Sequence, residues 1–442
     1  MPLPHSDFFA DTLNVLTNSD DRSEPTAQSD AATIETVTPL ISTPPTPTVR
    51  LSATVRVLGL VSLLTDISSE MVYPLNPVFL TKVLGAPAWT VGLIEGVAES
   101  TASLLKLYSG QLSDRLGRRK PFALAGYALG AVSKPLIAIA GVWGHVLGAR
   151  FLDRVGKGLR AAPRDALITE NCVPSERGRA FGFHRSMDTT GAVLGPLLGF
   201  WFLHHFPGQF RRLYALAFIP AVLGVVALLF LVREHGAQSK PTKDKKAPLR
   251  FSGQLWRDLS PEYRRYLGIV MLFGLGNSSD AFLLLRAQSV GVGAENMLLL
   301  YALFNGVEAA LGYTAGRFSD RVGRRPLIAS GYAVFALVYL GFALLNSAAM
   351  VWVLFPIYGL YYTLTQGVQK ALAADLAHPD RRGAELGAFH MLVGLSALPA
   401  SLFAGWLYTH IAPSAPFYLG ALTAGAAALL LLLSSPTGTQ RT

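Results

Sequence analysis

Five cations fall within one apolar stretch of the chain: Arg150, Arg154, Lys157, Arg160 and Arg164, spaced four, three, three and four residues apart. At about 100° per residue, a helix carries all five within roughly 120° of its circumference. Acids occur at similar spacing in other apolar stretches. Asp66 and Glu70 are four apart and share a face with Tyr73, Glu95 and Glu99 share one with Lys106, and His184, Arg185 and Asp188 form a further group. Asp153 stands inside the cationic stretch itself. Two kinds of chemistry suit such a set. One is static ion pairing that fixes helices in register. The other is proton transfer, because two carboxylates four residues apart repel when both are ionised and burial adds to that cost. The Asp66–Glu70 pair has no cation at helical spacing beside it, whereas Glu99 has Lys106. Asp66 and Glu70 are therefore the first candidates for proton coupling, and Glu95 and Glu99 the second.

The elements that must position these residues are long and apolar. Of 442 residues, 51% are hydrophobic and only 15% charged, against about 25% charged in soluble domains. The apolar residues come in runs of about 20, the length that crosses a bilayer, rather than in the stripes of a soluble amphipathic helix. Six runs (53–83, 89–109, 121–141, 143–168, 180–204 and 213–232) precede a polar basic bridge, and six follow it (267–288, 295–315, 326–346, 349–373, 384–408 and 414–434). The pattern predicts an all-α polytopic membrane protein with 12 transmembrane helices in two pseudo-symmetric six-helix bundles, 51–232 and 267–434. A linker over 233–266 joins them, and tails over 1–50, rich in Ser, Thr and Pro and expected to be disordered, and 435–442 flank them. Basic residues gather after the even-numbered runs, as at Arg115, Arg118, Arg119, Arg177, Arg179, Arg381 and Arg382. By the positive-inside rule, both termini and the linker are expected in the cytoplasm, in a cell inner membrane.

Several function classes are excluded. The net charge of +10 resides at the ends of apolar runs, so it is an orientation signal and no nucleic-acid partner is expected. A single cysteine, Cys172, permits neither an internal disulfide nor a paired-cysteine metal site. No His-Glu-x-x-His is present, and the nine histidines do not cluster at metal-ligand spacing. Gly156-Lys157 is followed by neither Ser nor Thr, so it is no phosphate-binding loop. No enzyme activity, cofactor or metal is expected. The bilayer, a small-molecule substrate and protons are the expected partners, with the chain acting as a monomer.

A charged hinge, SGQLSDRLGRRKP from Ser109 to Pro121, recurs as AGRFSDRVGRRPL from Ala315, nearly half the chain later. SSE at Ser68–Glu70 is matched by SSD at Ser278–Asp280, and SERGRAFG from Ser175 by DRRGAELG from Asp380. Repeats in one order point to internal duplication, a common construction of secondary transporters. The hinge resembles the signature of the major facilitator superfamily. That resemblance implies transport by alternating access, with Gly110, Asp114, Arg115, Gly117 and Arg118, and the copy Gly316, Asp320, Arg321 and Gly323, acting as a gating latch. In physical terms, Gly110 and Gly117 allow helices to turn back closely, and Asp114 is placed to pair with Arg118 or a neighbouring helix. GAVLGPLLG is similar to a signature found mainly in proton-driven exporters of this superfamily, with Phe200 in place of its last glycine. It marks Gly191, Gly195, Pro196 and Gly199 as a helix-packing motif. In the fourth run Arg150 holds the position of a family arginine, while Asp153 replaces a glutamine and Arg154 a glycine. Arg150, Asp153, Arg154, Lys157, Asp188, Asp280, Tyr361 and Gln366 are the candidates for a cavity wall or charge network. The resulting expectation is a secondary active transporter for a small molecule, working by proton-coupled efflux. An importer or uniporter of the same fold, or a non-transporting sensor, is the alternative.

Overall fold

In the computed structural model the described residues are 51–173, 176–232, 259–378 and 382–434. The 1–50 and 435–442 tails and most of the linker lie outside them, as do the side chains of Asp114, Arg115 and Asp320 and the surroundings of Gly316. The described chain is helical. The first half forms α1 (Ala53–Glu70), α2 (Trp89–Leu116), α3 (Lys120–Ala138), α4 (Trp143–Glu170), α5 (Arg177–His205) and α6 (Phe210–Leu231). The second forms α7 (Pro261–Gly276), α8 (Ala281–Ser289), α9 (Ala294–Val322), α10 (Arg324–Ala343), α11 (Ala348–Leu376), α12 (Arg382–His410) and α13 (Ala415–Leu433). Because α7 begins at Pro261 behind its Ser260 cap, the last six residues assigned to the linker are already helical.

Two apolar runs expected to be single helices are broken. After α1 the chain passes through a 3₁₀ turn (Tyr73–Leu75), one α-turn (Asn76–Val78) and a π-helical turn (Phe79–Val83). Pro74 and Pro77 supply no backbone donor, so the α-helical ladder cannot continue through them. The seventh run breaks between Gly276 and Ala281, with Asp280 in the N-cap position of α8. SSE and SSD, the matched tripeptides of the two halves, therefore stand at the two breaks.

Helix pairings in the first half recur in the second. In the first, α3 packs on α4 and α6, α2 on α4, and α1 on α5 and α6. In the second, α10 packs on α11 and α13, α9 on α11, and α7 on α12 and α13. The halves meet where α2 lies along α12 and α5 along α9. The Ser100 hydroxyl donates to the Gly394 carbonyl at 3.0 Å, and the Asn305 amide to the Ala192 carbonyl at 2.9 Å.

Among the described residues, seven helical segments are long and apolar enough to cross a membrane by length and composition: α3, α6, the broken α7–α8 pair, α10, α11, α12 and α13. The others (α1, α2, α4, α5 and α9) carry the ionisable residues that lower their hydropathy, and most of those side chains turn toward neighbouring helices. Large apolar side chains such as Phe230, Leu337, Leu422 and Leu433 instead project outward. Such a surface is costly in water and neutral against lipid tails.

The glycine face of α5 is what brings α5 against α1. A methyl group on Gly191 would lie 2.7 Å from the Leu63 carbonyl oxygen, one on Gly195 2.7 Å from that of Ile67, and one on Gly199 2.6 Å from that of Met71. Pro196 lies on the same buried side. At these three glycines the contact is made with the α1 backbone itself. Gly195→Ala is predicted to lower stability by about 1–3 kcal/mol, read as a fall in the melting temperature of the detergent-solubilised protein. Gly148→Ala, at an open position of α4, should leave it unchanged or slightly higher.

Candidate functional site

α4 places its cations toward the acids of α1 and α2, and its own Asp153 toward Lys134 of α3. Arg150 Nη2 donates to both Glu95 oxygens at 2.8 Å, joining α4 to α2. Arg154 Nη1 lies 3.2 Å from Glu99. Asp153, on the same helix, is approached by Lys134 Nζ of α3 at 2.9 Å, by Arg150 at 3.5 Å and by Arg154 at 3.9 Å. Glu95, Lys134, Arg150, Asp153 and Arg154 are all buried. Removing such charges from water costs several kcal/mol per ion, and only close pairing offsets it.

Asp66 and Glu70 lie beside this cluster and differ from it. Neither makes an ion pair or hydrogen bond among the described residues, and Glu70 Oε2 is buried without a partner. Together with Tyr73, Lys134, Lys157 and Arg160 they line a chamber of about 60 Å³, room for a few water molecules. Lys157 is exposed, and the Arg160 guanidinium stacks over the Tyr127 ring at 4.6 Å. Glu95 and Glu99, by contrast, are committed to Arg150 and Arg154. The Glu99 partner is thus Arg154 and not Lys106, which is exposed. Asp188 is held between Ser62, whose hydroxyl donates to it, and His184 at 3.4 Å.

A larger cavity of about 1260 Å³ lies between α5, α9 and α11. Arg185 and Glu308, paired at 2.8 Å across α5 and α9, stand on its wall with Thr189, Tyr362, Gln366 and Lys370. Gln366 lines this cavity. Tyr361 does not: it is buried against Phe273 and Phe335, and its neighbour Tyr362 faces the cavity. One helical step turns a side chain by about 100°, and the sequence does not fix that rotation. Asp280 accepts hydrogen bonds from Tyr358 at 2.6 Å and Tyr362 at 2.9 Å, so it belongs to an aromatic surrounding and not to the charge cluster.

The two hinges lie at one end of the helices. Arg119 pairs with Glu170 at 3.3 Å, joining the first hinge to the C-terminal end of α4, just before α5 begins. α5 runs antiparallel to α9, whose C-terminal end carries the second hinge. The cavity is lined by the N-terminal half of α5 and the C-terminal halves of α9 and α11, so it lies toward that same end. Gly117 and Gly323 have φ of 61° and 96° and make the turns. Gly110 does not turn the chain: it sits within α2, where a methyl group would lie 3.2 Å from Ala162, and Gly316 lies within α9. Arg118 and Arg321 are exposed.

Sequence reasoning missed Lys134. Its signal was present, since a lone lysine in an otherwise apolar run requires an anionic partner. The tyrosine partners of Asp280 had no comparable signal, because their contact depends on the break before α8.

Residues 58–400 match the Major Facilitator Superfamily. An MFS-type transporter of Methanocaldococcus jannaschii is 36% identical over 390 residues, covering 86% of this chain and 95% of the relative. The multidrug resistance protein MdtH of Enterobacter sp. is 25% identical over 347 residues, covering 76% and 82%. Among solved structures, a POT family transporter in complex with 5-aminolevulinic acid superposes with a TM-score of 0.70 at 14% identity, covering 86% of this chain and 96% of that one. A D-xylose-proton symporter gives 0.67 at 18% identity, covering 87% and 98%.

Arg150→Met leaves Glu95 buried without its partner, and a loss of about 3–5 kcal/mol is expected. The double variant Arg150→Met/Glu95→Met should recover most of that loss, a difference readable by thermal unfolding in detergent.

Proposed function

Because the chain belongs to the Major Facilitator Superfamily, we propose that it is a secondary active transporter that exports a small molecule across the cytoplasmic membrane in exchange for protons. The observation that carries the proton-coupled part is the chamber at Asp66 and Glu70. Two carboxylates face it without an ion pair, beside Lys157 and Arg160. A proton taken there changes the charge of a carboxylate that no ion pair holds, in a chamber whose wall is otherwise rich in cations. The Glu95–Arg150 and Glu99–Arg154 pairs serve as the scaffold of that chamber, with Asp188 supporting α1 from α5. The energetics suffice. One charge crossing 100 mV gains about 2.3 kcal/mol, and about 1.4 kcal/mol corresponds to a tenfold gradient.

In this reading the twelve runs are twelve crossings in two six-helix bundles, a division supported by the recurring helix pairings. The five helices with low hydropathy cross with their charges turned inward. The bundles rock about the α2–α12 and α5–α9 contacts, and the substrate occupies the cavity between α5, α9 and α11. The hinges at Asp114 and Asp320, with Arg115, Arg118 and Arg321, latch the cytoplasmic ends, and both termini and the linker are cytoplasmic. The cavity then opens inward, the state that loads an export substrate. The chain works as a monomer, since each copy holds both bundles. Export is favoured by the likeness to MdtH, named for multidrug resistance. Import is the second reading, favoured by the fold shared with a proton symporter of D-xylose.

Reconstituted vesicles with an imposed pH gradient and a panel of labelled drugs, sugars and peptides test both. Accumulation against concentration is expected, in a direction opposite to proton flow for export and along it for import. Asp66→Asn/Glu70→Gln should reduce gradient-driven accumulation by about tenfold or more while substrate exchange without a gradient persists. Undiminished gradient-driven transport by that variant would remove the chamber from the mechanism.

A further inference from the structure

Proton coupling in the first half leaves one carboxylate of the second without a task. Asp280 stands where the seventh run is interrupted, and its two oxygens accept hydrogen bonds from the Tyr358 and Tyr362 hydroxyls. It makes no ion pair among the described residues. What surrounds it is aromatic. The Phe304 ring lies 5.7 Å from that of Tyr358 and 5.0 Å from that of Tyr362. Tyr301 lies 5.4 Å from Phe304, and Tyr73 of the first half 5.5 Å from Tyr301. Tyr362 also lines the large cavity, so a single ring separates the Asp280 carboxylate from the substrate space.

A carboxylate at membrane depth normally has a cationic partner, and aromatic faces attract cations, best when both are withdrawn from water. An anion ringed by tyrosine and phenylalanine lacks only the positive charge. We propose that Asp280, with the rings of Tyr362, Tyr358 and Phe304, binds the ammonium group of an organic cation, with Tyr362 swinging aside to admit it. This names a substrate class for the transporter reading and rests on it. The cavity supplies the volume for the rest of such a molecule, and the Arg185–Glu308 pair on its wall takes no part in holding the cationic end.

The test is equilibrium dialysis of the purified full chain in lipid nanodiscs against labelled phenyltrimethylammonium, with no pH gradient. Saturable binding is expected, and tert-butylbenzene, the neutral isostere, should not displace the cation at equal free concentration. Asp280→Asn should weaken binding by about tenfold or more. The Asp280 side chain makes no capping hydrogen bond, so the start of α8 does not depend on its charge. Tyr362→Phe, which retains the ring, should bind within about threefold of the original, and Tyr362→Ala clearly more weakly. Absence of saturable binding, equal displacement by the isostere, or unchanged binding by Asp280→Asn overturns the proposal. Failure here is separable from failure of the transport reading. If the cation does not bind while gradient-driven transport of another compound persists, only this inference falls. If it binds to both the original chain and Asp66→Asn/Glu70→Gln but no gradient drives any transport, the coupling reading falls instead.

Discussion

Asp153 is the anion around which the first half is arranged. It is approached by Lys134, Arg150 and Arg154 from two helices, in a position with little solvent. Without it, Lys134 would be buried beside two arginines with no carboxylate of its own, a change worth about 3–5 kcal/mol. With it, α3 and α4 are tied together, and Arg150 and Arg154 remain free on their other sides to engage Glu95 and Glu99 of α2. The cationic stripe is thus not a surface for an anion passing by. Arg150 and Arg154 are paired with Glu95 and Glu99 while also lining the chamber of Asp66 and Glu70, where Lys134, Lys157 and Arg160 join them. A chain that spends acids in this way leaves a few carboxylates unmatched, and those are where proton traffic is physically possible.

The two halves share helix pairings but not chemistry. Where the first has charges, the second has rings: Phe273 stacks on Tyr332 at 4.0 Å, Phe335 on Tyr339 at 3.9 Å, and Tyr358 lies between Phe304 and Tyr361. The pairings are thus common to the two halves, while the side chains within them differ. The breaks at Glu70 and Asp280 keep one acid each, set against cations in one half and hydroxyls in the other. Contacts through the Tyr73 ring, which lies 5.4 Å from Arg150 and 5.5 Å from Tyr301, bring the two surroundings into continuity.

Much of this was legible in the amino-acid order. Length and spacing of the apolar runs give the helices, the duplicated hinge gives the repeat, and the spacing of Arg150, Asp153, Arg154 and Lys157 gives a polar face seeking acids. Gly191, Gly195 and Gly199, small residues four apart in an apolar run, point to a close helix contact. Other features were hidden for identifiable reasons. Hydropathy does not register a helix break, so the interruptions after Glu70 and before Ala281 passed unseen despite Pro74 and Pro77. Rotation about a helix axis is fixed by tertiary packing, which is why Tyr361 and Tyr362 exchanged places. Which acid meets which cation depends on helix order in space, so Glu99 was matched with Lys106 on its own helix when its partner lay across on α4.

The contact of α5 with α1 carries a mechanical consequence. With no side chains on the glycine face, there is no deformable layer between the two backbones: a methyl group on Gly191 would lie 2.9 Å from Asp66 Cβ, and one on Gly195 3.2 Å from Glu70 Cβ. The same helix holds Arg185 and Thr189 on the cavity wall. Any tilt of that wall is therefore delivered undamped to the two unmatched carboxylates, and any shift of those carboxylates is felt at the wall. α1 and α5 thus form one stiff unit that reaches from the cavity wall to Asp66 and Glu70.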